Sequence, residues 1–251
     1  MKHPIRKKWG QNFLIDPNIQ RKIVDVLELS SDDEVLEIGP GYGAITKLIA
    51  PNCKHLTVVE IDPLLAGEIQ NISLPNTTVI NQDFLNFNMD SISKNLKCIG
   101  NLPYYITTPI MFKVLEWDGW EKCVFMMQKE VAERLVSKPK TKSYGRLTVT
   151  AGLFGEVKLE FNVSPNVFNP KPEVDSAIIS ITRNLSPRYP VQFIKDFQTI
   201  VKAAFSSRRK VLRNTLKSYL TNPMIDKFGK MRPEECTSED FIEIVNSWNE
   251  S

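Results

Sequence analysis

Glu34-Val35-Leu36-Glu37-Ile38-Gly39-Pro40-Gly41-Tyr42-Gly43 joins a short apolar strand directly to a glycine-rich turn, and a helix through Leu48 and Ile49 follows. A backbone that bends this tightly can bring amide N–H groups close to a ligand at the carboxyl end of a sheet. Read with Ala44, the turn also satisfies the G-x-G-x-x-G/A dinucleotide fingerprint, so alone it does not choose between nucleoside cofactors. On its N-terminal side a helix is expected to start at Pro17 with Asp16 as N-cap, because Ile19, Ile23, Val26 and Leu27 recur at helical spacing. On its C-terminal side the β-branched stretch His55 to Ile61 precedes a helix beginning at Pro63. Thr77 to Ile80, Lys97 to Gly100 and Cys123 to Met127 read as further strands. Helical stretches between strands imply parallel β-α-β units.

Two later strands, Val157 to Val163 and Ser176 to Thr182, are joined by 12 residues that include three prolines, too few for a helical crossover. They are expected to form an antiparallel pair at one edge of the sheet. Five parallel strands with such an ending match the methyltransferase variant of the doubly wound α/β sheet rather than the usual dinucleotide-binding one. After Asn184-Leu185-Ser186-Pro187 the pattern turns helical, with helices expected near 191–205, 207–220 and 238–249. The expected domains are therefore 1–185, with a basic N-terminal arm, and a small all-α domain over 186–251.

At 251 residues with 42% hydrophobic content the chain can bury a full core. No apolar run approaches the roughly 18 residues of a membrane span, and the N-terminus lacks the apolar region of a secretory signal. A cytoplasmic protein is expected. Cys53, Cys98, Cys123 and Cys236 show no paired C-x-x-C spacing, so they read as reduced, mostly core residues, and no metal is expected. The net charge is only +3, yet three short acid-free segments hold 14 of the 32 Lys and Arg residues. They are 1–10 (Lys2, Arg6, Lys7, Lys8), 138–146 (Lys138, Lys140, Lys142, Arg146) and 202–217 (Lys202, Arg208, Arg209, Lys210, Arg213, Lys217). Such segregation is the footprint of a polyanion partner, although any one run is more often a solvated face.

Glu60 ends the second strand, where an acid can accept hydrogen bonds from both ribose hydroxyls of a nucleoside cofactor; a plain surface acid is the alternative. Asp83 follows the third strand and could bond the amino group of the cofactor's adenine, or simply begin a turn. Asn101-Leu102-Pro103-Tyr104, at the end of the fourth strand, favours S-adenosylmethionine over NAD. An adenine N6 is a poor nucleophile because its lone pair is delocalised into the ring. An Asn side-chain oxygen and a backbone carbonyl fixed by the following Pro can each accept one N6–H bond and localise that pair. Tyr104 would hold the base by stacking. A Pro-Tyr turn that merely closes a strand is the plainer reading. Phe168, in the Pro-stiffened loop Phe168-Asn169-Pro170-Lys171-Pro172, offers a second stacking face or else a capping Phe.

In order along the chain, Gln11-Asn12-Phe13-Leu14, Gly39-Pro40-Gly41, Glu60-Ile61-Asp62, Asn101-Leu102-Pro103-Tyr104, Phe168 to Ser176 and Arg208-Arg209-Lys210 resemble the ribosomal RNA adenine N6,N6-dimethyltransferases. The likeness spans almost the entire chain. Val174-Asp175-Ser176 and Phe205 to Asn214 are most similar to the bacterial small-subunit (16S) branch, the kasugamycin-sensitivity dimethyladenosine transferases. The resemblance implies S-adenosylmethionine as cofactor, with Asn12, Leu14, Gly39, Gly41, Glu60, Ile61, Asp83 and Asn101 lining its site. It implies that Asn101, Tyr104 and Phe168 hold the target base. Lys7, Lys8, Lys140, Lys142, Arg146, Arg208, Arg209, Lys210 and Arg213 are then expected to bind RNA. The implied substrate is small-subunit rRNA in an assembling particle, at two adjacent adenosines of a hairpin near the 3′ end, with the protein acting as a monomer. Tyr105 departs from the small-subunit pattern, which commonly has Asn there. Rival readings are a large-subunit enzyme of the antibiotic-resistance type, a DNA adenine methyltransferase, which typically carries Asp at the position of Asn101, and a non-catalytic assembly factor.

Overall fold

A computed structural model of the chain describes residues 10–184 and 188–251, so Lys7 and Lys8 lie outside the described residues. The N-terminal half runs β1 (Phe13–Leu14), α1 (Pro17–Leu27), β2 (Glu34–Ile38), α2 (Thr46–Ile49), β3 (His55–Glu60), α3 (Pro63–Asn71), β4 (Thr77–Asn81), β5 (Leu96–Asn101), α4 (Thr107–Glu116) and β6 (Trp120–Gln128). It continues with α5 (Lys129–Leu135), α6 (Arg146–Gly152), β7 (Gly155–Val163), β8 (Phe168–Asn169) and β9 (Ser176–Arg183). The chain ends in α7 (Val191–Ala204), α8 (Leu212–Thr215), α9 (Asn222–Phe228) and α10 (Ser238–Asn249).

Seven strands form one sheet in the order β4-β3-β2-β5-β6-β9-β7. The first five are parallel neighbours. β9 runs antiparallel to β6, with Met126 opposite Ile178, and β7 lies outside it at the edge. The expected five-plus-two sheet is therefore the one observed. Its central strands are apolar on both faces because helices cover both: Val35, Leu36, Leu56, Val58, Ile99 and Val124 are all buried. β7, by contrast, alternates half-buried and exposed positions between its buried ends and carries Glu156, Lys158 and Glu160, charges that suit a sheet edge. α1 begins as expected, with the Asp16 carboxylate accepting from the N–H groups of Asn18 and Ile19. All four cysteines are buried free thiols.

The chain divides into two compact units, one holding residues up to Ala132 together with Lys158–Arg183, the other Glu133–Val157 with Asn184–Ser251. The second unit thus takes in residues 133–157, which a single cut at 185/186 assigns to the sheet domain. Local bonds explain the grouping. The Tyr144 hydroxyl donates to the Cys236 carbonyl (2.7 Å) and the Ser238 hydroxyl to the Val149 carbonyl (3.0 Å). Phe197 of α7 meets Phe241 of α10 edge-on at 6.4 Å, and Phe205 meets it tilted at 6.1 Å. The continuous helix expected over 207–220 is replaced by turns and the four-residue α8, and α9 was not foreseen. The N–H groups of Leu212 and Arg213 are taken by the Met231 and Gly229 carbonyls (2.8 and 3.1 Å), so no helix can run through them from Ser207.

Candidate active site

The site grows from the turn after β2. Gly39 and Gly41 have φ of +67° and +58°, a left-handed backbone that side chains strain. A Cβ on Gly41 would also lie 2.9 Å from the Phe13 ring. The Gly41 N–H donates to Glu60 Oε2 (3.3 Å), and the Asp62 N–H donates to Glu60 Oε1 (2.8 Å). Glu60 is buried at the end of β3; burial pushes its carboxyl up, while these backbone donors pull it down. Gln11 Nε2 donates to Asp62 Oδ2 (3.1 Å), which ties the N-terminal segment to the start of α3. Asp83 follows β4, and its Oδ1 accepts the Leu85 N–H (2.9 Å). It is a turn residue and a cavity residue at once.

Asn101 ends β5. Its side-chain amide nitrogen donates to the Asn12 carbonyl (2.9 Å), which fixes the amide plane and leaves Oδ1 to face elsewhere. Among the described residues no donor reaches Asn101 Oδ1 or the Leu102 carbonyl, whereas the Pro103 carbonyl already accepts from Ile106 N–H and the Thr107 hydroxyl. The Leu102 N–H is held by the Met126 carbonyl (3.1 Å), so its peptide is anchored from the sheet. Tyr104 is half-buried and its hydroxyl shares a 2.5 Å hydrogen bond with Ser176 Oγ. Burial raises the phenol further, so it stays neutral. Tyr105 is 60% exposed and lies beside Gly10.

These groups surround one cavity of about 250 Å³. Asn12, Leu14, Gly39, Gly41, Glu60, Ile61, Asp83, Asn101 and Tyr104 all line it. Phe168 does not: it is 4% exposed, pairs with Leu14 across β1 and β8, and belongs to the core with Val163 and Ile178. Phe168 thus packs under the cavity beside Leu14, while Tyr104 faces it. Sequence reasoning missed Ser176, Gln11 and Glu37. Ser176 had a signal, since it closes the Phe168 to Ser176 motif; the other two had none beyond their place in motifs.

On the second unit, Arg208 is committed to the fold. Its guanidinium bonds Glu234 (2.9 Å) and the Lys142 carbonyl (2.8 Å), so two of the three basic segments meet there. Lys140, Lys142, Arg146, Arg209, Lys210 and Arg213 are exposed, and none has an ion-pair partner among the described residues.

A buried acid accepting from the glycine turn, a cradle that a Cβ would fill and apolar walls from Ile61, Phe84 and Ile110 fit the ribose and adenine of S-adenosylmethionine. With the antiparallel β9, they define a class I S-adenosylmethionine-dependent methyltransferase. The sequence model of "Ribosomal RNA adenine dimethylase" matches residues 2–250, and the chain belongs to that family. It is 44% identical to the "Ribosomal RNA small subunit methyltransferase A" of Chlorobium phaeobacteroides over 96% of this chain and 90% of that one. The protein of the same description from Nitrosospira multiformis is 39% identical, covering 99% and 98%. Among solved structures, the 23S rRNA methyltransferase ErmE is 27% identical with a TM-score of 0.73, covering 93% of this chain and 99% of that one. A Plasmodium falciparum dimethyladenosine transferase shares the fold at 24% identity and a TM-score of 0.84, covering 95% and 98%.

Proposed function

We propose that this chain transfers methyl groups from S-adenosylmethionine to the exocyclic N6 of adenines in small-subunit ribosomal RNA, at two adjacent adenosines of a hairpin near the 3′ end. Relatives described as small-subunit methyltransferases at about 40% identity over nearly the whole chain support the substrate. The observation that carries the chemistry is the pair of uncommitted acceptors, Asn101 Oδ1 and the Leu102 carbonyl, each held in place through its other atoms. Together they take the two N6–H bonds and concentrate the nitrogen lone pair. The cofactor supplies an electrophilic methyl group on a sulfonium. Tyr104 holds the flipped base against its ring, with Ser176 fixing the ring's position. No strong base is required, since the methylated amine sheds its proton to solvent. Exposed Lys140, Lys142, Arg146, Arg209, Lys210 and Arg213 grip phosphates, on the helical unit read as the docking domain. We read the protein as a cytoplasmic monomer; no described helix is long and apolar enough to cross a membrane.

The test is Asn101→Ala, incubated with S-adenosylmethionine and small-subunit particles that lack the modification. Mass spectrometry should find turnover reduced by about 10²–10³, the loss typical of one preorganised electrostatic contact. Cofactor binding should stay measurable. Near-normal dimethyladenosine from the variant would remove Asn101 from the chemistry, and unmodified particles with the native protein would remove the substrate assignment.

A further inference from the structure

Three acidic residues line the cavity, Glu37, Glu60 and Asp83, and no Lys, Arg or His does among the described residues. Glu37 is the odd one, because it lies within a strand, whereas Glu60 ends one and Asp83 follows one. It sits inside β2, in register with Val58 of β3 and Ile99 of β5, and is 2% exposed. Thr46 of α2, itself fully buried, donates its hydroxyl to Glu37 Oε2 (2.7 Å). No described residue donates to Oε1. The charged group that faces Glu37 is Glu60; Thr46 is its polar neighbour, and its register partners are apolar.

Two carboxyl groups that repel each other in a dry site do not both ionise readily. Glu60 accepts two backbone N–H bonds, which favour its carboxylate, whereas Glu37 has one hydroxyl donor. The proton therefore resides on Glu37. Burial, reinforced by Glu60, pushes its carboxyl up to about 7, against the pull of Thr46.

The methyl donor and its product differ chiefly in charge: the sulfonium makes the donor a net cation, and the thioether left behind is net neutral. We propose that Glu37 is a specificity-determining residue for cofactor charge, releasing its proton to solvent when the cationic donor fills the cavity and regaining one from solvent when the neutral product remains. Donor is thereby preferred and product is loosened without any change of shape. This inference rests on reading the cavity as the S-adenosylmethionine site.

Isothermal titration of the full chain with S-adenosylmethionine and, separately, with S-adenosylhomocysteine tests it without RNA or turnover. Donor Kd is expected to rise about tenfold from pH 8 to pH 6, as protonated Glu37 must be emptied, while product Kd changes by less than about twofold. Near pH 7, buffers of different ionisation heat should reveal roughly half a proton released on donor binding. Glu37→Gln keeps an acceptor for the Thr46 hydroxyl but cannot ionise, so donor Kd should become flat over this range and the donor preference should shrink. Thr46→Val removes the bond that pulls the acid down, so the midpoint of the donor profile should move to higher pH. It decides the matter even if Glu37→Gln fails to fold. Equal pH profiles for donor and product, a slope that survives Glu37→Gln, or an unmoved midpoint in Thr46→Val would each overturn the proposal. Failure of the native protein to bind the donor at all would instead sink the functional reading beneath it.

Discussion

Tyr104→Phe removes one oxygen and separates two jobs that the side chain performs. The hydroxyl holds position through Ser176 Oγ at 2.5 Å, and the ring carries the stacking surface. Ser176 is fully buried, so in the Phe variant its hydroxyl loses its partner away from water. An unsatisfied buried hydroxyl costs about 1–3 kcal/mol, which for a chain of this size lowers Tm by about 2–4 °C per kcal/mol. Methyl transfer should fall by no more than about tenfold, because the ring remains. Tyr104→Ala removes the ring, and losing about 1–3 kcal/mol of stacking should cost roughly 5- to 150-fold in kcat/KM. The double variant Tyr104→Phe, Ser176→Ala leaves neither hydroxyl stranded and should recover most of the stability, with a coupling of about 1 kcal/mol in the cycle. Thermal unfolding and methyl incorporation into unmodified particles measure the two effects separately. If Tyr104→Phe lost as much activity as Tyr104→Ala, the hydroxyl would belong to the chemistry and the division of labour would be wrong.

Arg208→Ala should destabilise the helical unit by about 1–2 kcal/mol, since Glu234 and the Lys142 carbonyl lose a charged donor, with thermal unfolding as the readout. Reversing charge at Arg209, Lys210 and Arg213 should leave stability within about 0.5 kcal/mol but weaken particle binding and flatten its salt dependence by about one unit of log–log slope per lost phosphate contact. Unchanged binding in that triple variant would remove this surface from RNA docking. Glu37 also makes stability depend on pH. Burial holds its carboxyl up at about 7 in the folded chain, above the ordinary carboxylate range, so the unfolded chain ionises first as pH rises. The penalty is absent below about pH 4, grows up to about pH 7 and is then constant. Glu37→Gln should therefore gain stability at pH 8, on the order of 3 kcal/mol as an upper value, and none at pH 4. Equal gains at both would show that the residue does not titrate between them.

What could be read in the sequence was what repeats locally. Glu34 to Gly43 shows strand, glycines and helix within a few residues, and the folded turn follows that order. Asn101 to Tyr104 reveals its chemistry through residue type. The burial of Phe168 was not legible, because its partner, Leu14, comes from the other end of the sheet domain through a pairing two residues long, too short to leave a period. Over 207–220 the helical spacing is real: Leu212, Leu216 and Leu220 are all buried. Successive single turns, with Leu216 N–H on the Leu212 carbonyl and Leu220 N–H on the Leu216 carbonyl, keep those side chains on one face without a continuous helix. A hydrophobic period reports the face that is buried, and leaves open whether one helix or several turns present it.

Charge shows the same limit from another side. Counting cations marked Arg208 and its neighbours as equivalent, yet Arg208 is held by Glu234 and two carbonyls while Arg209 and Lys210 stand free of ion pairs among the described residues. The most deeply set acid of the cavity, Glu37, was hidden in a strand where an apolar residue would pack better. A buried carboxyl without a cation to meet it is a standing cost to the fold. Such a cost is expected where a site must meet a charge that arrives with its ligand, and among the described residues the cavity beside Glu37 carries no positive side chain of its own. The net charge of +3 therefore conceals two opposite arrangements, exposed cations suited to a polyanion and buried acids suited to a cationic methyl donor.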